Sequence, residues 1–363
     1  MKGYAAIPAA LRAHDVSVVF AMLGGTNVAW IAEGVRTRAF EFFNTRHEET
    51  AVVAAASYAI ASGQVGVCSV TRGPGFANSI NALVAAVATH APLVLIVGAS
   101  PSREADSALN LDQEKACRLI GAGFHHAVHA ADISSVLSHA FERARWDGTP
   151  QVVSTADESI EGDVSNVAGA LSVGVSRAGG PSRESVSSAA ELLAGAAAPL
   201  IIAGRGAVLA DCRSELVALA DALGARVATT LLANCFFAGH PRNLGLSGGW
   251  GAPLAYELLK EADAVLAVGA SMNDFTCDFG GLYGDSKVIR CDVDGGELVG
   301  DGKAVALALL GELSARGVEP AGERLKYPSE EKIRESVRSV DLGHAPERGM
   351  DIRSVYTMFD EKL

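Results

Sequence analysis

Residues 39–62, AFEFFNTRHEETAVVAAASYAIAS, pass from a short apolar segment through a charged corner into an alanine-rich stretch. Ala39 to Phe43 predicts a strand, and Thr50 to Ser62 predicts a helix that Gly63 closes as its C-cap. Between them stand Arg46-His47-Glu48-Glu49. A carboxylate here lies at the carboxyl end of a strand, where open α/β sheets bind ligands, and beside the positive end of a helix. Either glutamate also reads as a simple helix-start carboxylate, so the flanking sequence must decide.

Upstream, Ala5 to His14 predicts a helix, Ser17 to Met22 a buried strand, Leu23-Gly24-Gly25-Thr26-Asn27 a turn, and Val28 to Thr37 a second helix. Downstream, strand Val65 to Val70 leads into Thr71-Arg72-Gly73-Pro74-Gly75-Phe76-Ala77-Asn78, then a helix through Thr89 and strand Pro92 to Gly98. Two glycines around a proline make a rigid turn that presents backbone groups to a ligand, with Thr71 and Asn78 as hydrogen-bonding side chains at its rims. Strands alternating with helices predict a parallel sheet covered on both faces.

With 363 residues the chain is long enough for two domains. Hydrophobic residues at 49% and charged residues at 20% exclude a disordered chain. Apolar stretches such as Ala82 to Ala88 break well before the length of a membrane span, and the start lacks a signal-peptide pattern, so a cytoplasmic protein is expected. The six cysteines contain no Cys-x-x-Cys pair, which argues for reduced thiols and against a metal site. A formal charge of −12 argues against nucleic acid as partner. His125, His126 and His129 are read as packing or surface residues.

Residues 163–183, rich in Gly, Ser, Ala and Val, predict an interdomain linker. After helix Ser185 to Ala197 and strand Pro199 to Ala203, the turn Gly204-Arg205-Gly206 falls short of a dinucleotide fingerprint, because Leu209 occupies the place of the third glycine. Ala225 to Leu231, Ala264 to Gly269 and Val288 to Val293 predict further strands. The expected fold is α/β, with two doubly wound parallel-sheet domains at 1–162 and 184–313, then a polar tail at 314–363 ending in an amphipathic helix from Met350 to Leu363.

In order and spacing, Phe20-Ala21-Met22-Leu23-Gly24, Arg46-His47-Glu48 and Thr71 to Asn78 resemble the pyrimidine-binding domain of thiamine-diphosphate-dependent enzymes of the acetolactate synthase and benzaldehyde lyase type. Residues 184–313 resemble the central Rossmann-like domain of that family. The resemblance implies that Glu48 is catalytic, bonding the aminopyrimidine ring of thiamine diphosphate, and that it is buried. It implies that Leu23, Gly24, Gly25, Thr71, Gly73, Pro74 and Asn78 contact the cofactor, with Arg72, Leu109 and Gln113 at the substrate pocket. The implied activity is a decarboxylase or carboligase, a lyase or transferase that moves an acyl anion from a 2-oxo acid to a proton, aldehyde or ketone.

The family also holds Mg²⁺ and the diphosphate through a Gly-Asp-Gly followed by paired asparagines. Gly300-Asp301-Gly302 looks like that start, but no asparagine follows Asn273, so no metal ligand is assigned in this chain. The expectation is a large subunit that dimerises through its pyrimidine domain and shares thiamine diphosphate and Mg²⁺ with a small diphosphate-binding subunit, the simplest assembly being a heterotetramer. A non-catalytic regulatory or scaffolding homologue, and a truncated piece of a single-chain enzyme, are the alternatives. Some relatives hold FAD or an adenine nucleotide in the central domain; an empty, structural role is expected here. Ala21, Leu23 and Arg72 depart from the family pattern, as does Ala108-Leu109 where acetolactate synthases carry Phe-Gln. These departures point to a substrate side chain larger or differently charged than that of pyruvate.

Overall fold

The computed structural model describes residues 1–99, 109–164, 180–293, 295–318 and 327–338. Ala108, most of the expected linker and the expected terminal helix from Met350 lie outside the described residues.

In the first unit, Met1–Val175, the elements run α1 (Gly3–Ala13), β1 (Val18–Ala21), α2 (Val28–Arg36), β2 (Glu41–Asn44), α3 (Glu48–Ser62), β3 (Gly66–Val70) and α4 (Pro74–Ala88). They continue through β4 (Leu93–Gly98), α5 (Gln113–Ile120), β5 (Gly123–Ala127), α6 (Ile133–Asp147), β6 (Gln151–Thr155) and α7 (Asp157–Glu161). The strands form a six-stranded sheet in the order β2-β1-β3-β4-β6-β5, with every pair parallel. Fully buried β4 shows why: Val94 and Ile96 join one core with α1, α2 and α6, while Leu93, Leu95 and Val97 join a second core with α3, α4 and α5. Strands apolar on both faces demand helices on both faces.

The order fixes where a ligand site can form. From β1 the chain crosses to β2 on one side, and from β3 it crosses to β4 on the other. Where successive crossovers leave in opposite directions, a crevice opens outside the carboxyl ends of the two strands.

The second unit, Ser176–Leu363, runs α8 (Arg183–Gly195), β7 (Pro199–Ala203), α9 (Arg205–Leu209), α10 (Arg213–Leu223), β8 (Arg226–Thr229) and β9 (Asn243–Leu246). Then come α11 (Pro253–Lys260), β10 (Ala264–Val268), β11 (Lys287–Asp292), β12 (Leu298–Val299), α12 (Gly302–Ala315) and α13 (Glu330–Arg338). Its sheet is also six-stranded and parallel, in the order β12-β11-β10-β7-β8-β9. Alternate residues of β7 and β10 again feed two cores, one under each face. Asp301 lies outside the strands and caps α12, accepting from the backbone N–H of Lys303 at 3.0 Å and of Ala304 at 3.2 Å. Gly204 likewise precedes the short α9, so the Gly-x-Gly turn starts a helix.

Candidate functional site

Helix α3 begins at Glu48 itself, two residues before the apolar run. His47 caps it, its Nδ1 accepting from the Glu49 backbone N–H at 3.2 Å, and Gly63 ends it at φ 71° as the sequence requires. Glu48 is buried, 8% exposed. Its Oε2 accepts from Asn78 Nδ2 at 3.1 Å, and among the described residues no hydrogen bond reaches Oε1. One turn along the same pair of helices, Asn81 Nδ2 donates to Glu49 Oε1 at 2.6 Å.

Pro74 occupies the first position of α4, where its fixed φ suits a helix start and its missing N–H costs nothing. The expected Gly-Pro-Gly loop is therefore a helix N-terminus, and Asn78 projects from the helix rather than from a loop rim. Gly73 is the N-cap at φ 59°, and a Cβ there would sit 2.5 Å from the Leu109 carbonyl oxygen. A Cβ on Gly75 would fall 2.7 Å from Thr71 Cγ2 and 3.4 Å from Glu48 Oε1. Both positions exclude a side chain.

The turn after β1 is braced from below. Buried Asn27 accepts from the Gly24 N–H at 2.8 Å and donates to the Met22 carbonyl at 3.0 Å and to Ser69 Oγ at 3.1 Å. Above it, Thr26 and Thr71 hydroxyls meet at 3.2 Å, joining the turns after β1 and β3. Between these turns lies a cleft of about 650 Å³ at the crevice that the topology predicts.

Of the residues singled out in the sequence, Gly25, Glu48, Thr71, Arg72, Pro74 and Leu109 wall this cleft. Gly24 packs under Thr71, and Gly73 packs under Leu109, behind the wall. Leu23 is 42% exposed and does not border the cleft. Gln113 is buried elsewhere: its Nε2 donates to the Gly98 carbonyl at 2.8 Å and its Oε1 accepts from Ser154 Oγ at 2.7 Å, so its carboxamide is committed to the scaffold.

Tyr4, Thr26, Asp157, Ile160 and Glu161 also line the cleft, unforeseen in the sequence. Thr26 comes with the turn after β1; the others arrive because the start of α1 is clamped to the end of α7: Gly3 N–H donates to the Gly162 carbonyl at 2.9 Å, and Met1 and Val164 exchange backbone bonds. Asp157 Oδ2 then stands 3.4 Å from Arg72 Nη1. Among the described residues, the cleft combines the guanidinium of Arg72 with the carboxylates of Glu48, Asp157 and Glu161. Of the histidines, His125 Nε2 pairs with Gln151 Oε1 at 2.9 Å and His129 caps the turn before α6.

Two family models match the chain: the N-terminal TPP binding domain of thiamine pyrophosphate enzymes over residues 1–135, and their central domain over residues 186–315. The chain belongs to the thiamine pyrophosphate enzyme family. Similar proteins include a probable acetolactate synthase large subunit of Methanocaldococcus jannaschii, 27% identical over 387 residues, covering 100% of this chain and 65% of that protein. An acetolactate synthase of Mycobacterium leprae is 30% identical over 341 residues, covering 86% of this chain and 53% of its own length. A sulfoacetaldehyde acetyltransferase of Castellaniella defragrans is 32% identical over 286 residues, covering 75% and 46% respectively. The chain thus spans about half to two thirds of the length of these relatives. Among the described residues, no helix is long and apolar enough to cross a membrane.

Proposed function

We propose that the first unit binds the aminopyrimidine of thiamine diphosphate, and that the chain acts as a subunit of an acetolactate synthase-like decarboxylase or carboligase on a 2-oxo acid. The observation that carries this reading is Glu48: a buried carboxylate at a helix start, one oxygen held by Asn78, opening on a cleft at the sheet's switch point. The cleft fits the group. It is large enough for a heterocycle, Gly25 and Gly75 bring bare backbone to its wall, and Glu48 keeps one oxygen for a ring nitrogen.

When bound, thiamine diphosphate supplies the electron sink for the acyl anion. The chain's own part is narrower. Glu48 holds or shares a proton at Oε1, Asn78 fixes its orientation, and the Thr26–Thr71 contact keeps the two walls of the cleft in register. Arg72, half-buried beside Asp157, is placed to meet the carboxylate of a 2-oxo acid.

A partner chain would supply the diphosphate and Mg²⁺ contacts. The face of α3 and α4 supports such a partner: no Asp, Glu, Lys or Arg occurs from Thr50 to Thr71 or from Gly73 to Thr89, yet Val53, Ile60 and Val84 are exposed. A helix pair apolar beyond its packed face is built to be covered. Replacing Glu48 by Gln tests the reading in the complex isolated with its partner. Turnover should fall about a hundredfold or more, with thiamine diphosphate still bound in a calorimetric titration; unchanged turnover would refute the assignment.

A further inference from the structure

The cleft of the first unit contains an ion pair drawn from two distant stretches of the chain. Arg72 and Asp157 lie 85 positions apart, yet Asp157 Oδ2 stands 3.4 Å from Arg72 Nη1, and both residues line the cleft. Glu161 follows Asp157 by four residues, which puts both on one face of α7, and it lines the cleft too.

Each partner is held by its backbone. Arg72 precedes Gly73, whose left-handed φ and close contact with the Leu109 carbonyl fix the start of α4. Asp157 opens α7, and α7 is pressed against α1 by bare backbone, since a Cβ on Gly3 would sit 1.9 Å from the Ser159 carbonyl oxygen. Within α7, buried Ser159 donates its Oγ–H to the Ala156 carbonyl at 2.7 Å. The carboxylate therefore has a set place beside the guanidinium.

This placement limits what Arg72 can recognise. The two side chains are 17% and 35% exposed, so water screens their charges only in part. A guanidinium beside a carboxylate keeps its directed hydrogen bonding but projects little net positive charge beyond contact range. One substrate carboxylate can be matched to the fork; a second anionic group would meet the like charges of Asp157 and Glu161. We propose that Asp157 and Glu161 are specificity-determining residues that filter by charge, holding Arg72 to one substrate carboxylate and turning away 2-oxo acids that carry a second anionic group. The filter rests on the reading of this cleft as the site of a 2-oxo acid enzyme and adds the residues that set its charge selectivity.

2-Oxopentanoate and 2-oxoglutarate share a carbon chain and differ by one carboxylate, so the ratio of their kcat/KM values, measured on the complex isolated with its partner, reads the filter. The wild type should favour 2-oxopentanoate about tenfold or more. Asp157→Asn and Glu161→Gln should each move the ratio about tenfold towards 2-oxoglutarate, whereas Asp157→Glu, which keeps the charge, should retain most of the preference. Calorimetry should find thiamine diphosphate bound alike by wild type and variants. With cofactor bound, a ratio unmoved by both neutral substitutions, a wild-type preference for 2-oxoglutarate, or turnover of neither acid would each overturn the filter. A complex that binds no thiamine diphosphate would overturn the underlying reading as well, and the calorimetry tells the two failures apart.

Discussion

Asn78 Nδ2 donates to Glu48 Oε2 at 3.1 Å, so the start of one helix is tied to the first turns of its neighbour at the edge of the cleft. The bond leaves Glu48 a single oxygen for anything bound there. Removing it with Asn78→Ala should cost about 1 kcal/mol of stability and loosen thiamine diphosphate binding by the complex about tenfold. Calorimetry on wild type and variant checks both, and equal affinities would show that Asn78 does not orient the carboxylate.

Gly73 combines a left-handed φ with a Cβ position blocked by a carbonyl oxygen. Gly73→Ala should therefore lower stability by about 2 kcal/mol or more and displace the chain around Leu109. Gly63→Ala, left-handed but open on all sides, should cost about 1 kcal/mol. Comparing the two denaturation midpoints isolates the close contact from the backbone conformation.

The thiols should react unequally. Burial raises the pKa of Cys68, pushes Cys117 and Cys291 up to about 12 and Cys212 up to about 11, and also raises half-buried Cys277. Cys235 is exposed. Brief alkylation with iodoacetamide at pH 8 should give one dominant adduct, mapped by peptide mass spectrometry to Cys235. Comparable modification of the buried cysteines in folded protein would contradict the packing described.

Three histidines make stability depend on pH. Burial lowers the pKa of His14, with Arg145 adding to it; burial also lowers that of His125, and that of His240, where Arg242 adds to it. The folded state therefore binds fewer protons than the unfolded chain, whose imidazoles titrate near 6.5. Stability is full above about pH 6.5 and falls as the pH drops below it. Melting temperatures between pH 7.5 and 5.5 should decline, and His14→Gln should flatten part of the slope; a flat wild-type profile would refute the assignment.

Much of this was legible in the residues. Gly63 had to end α3, and Leu93 to Val97 had to be a strand buried on both sides, because composition and period leave no other solution. The Glu48 corner stood out as charge at a strand-to-helix junction. Other features depend on pairing and contact that no local pattern records. β2 is registered on β1 from Val18↔Glu41 to Ala21↔Asn44, so the strand starts two residues after Ala39 and ends one residue past Phe43. Gln113 looked available to a ligand, but Gly98 and Ser154 claim its carboxamide from other elements. Tyr4, Asp157 and Glu161 reach the cleft only because the first residues are clamped to the end of α7, a closure across more than 150 positions, from Met1 to Val164.

The central claim is that this chain holds the pyrimidine half of a shared thiamine diphosphate site. Native mass spectrometry of the protein purified gently from its source cells, with thiamine diphosphate and Mg²⁺ present, tests it most directly. The account predicts a complex with a second, diphosphate-binding chain, with cofactor mass in that complex and absent from the isolated subunit. A protein that runs alone and carries no cofactor under the same conditions would contradict it.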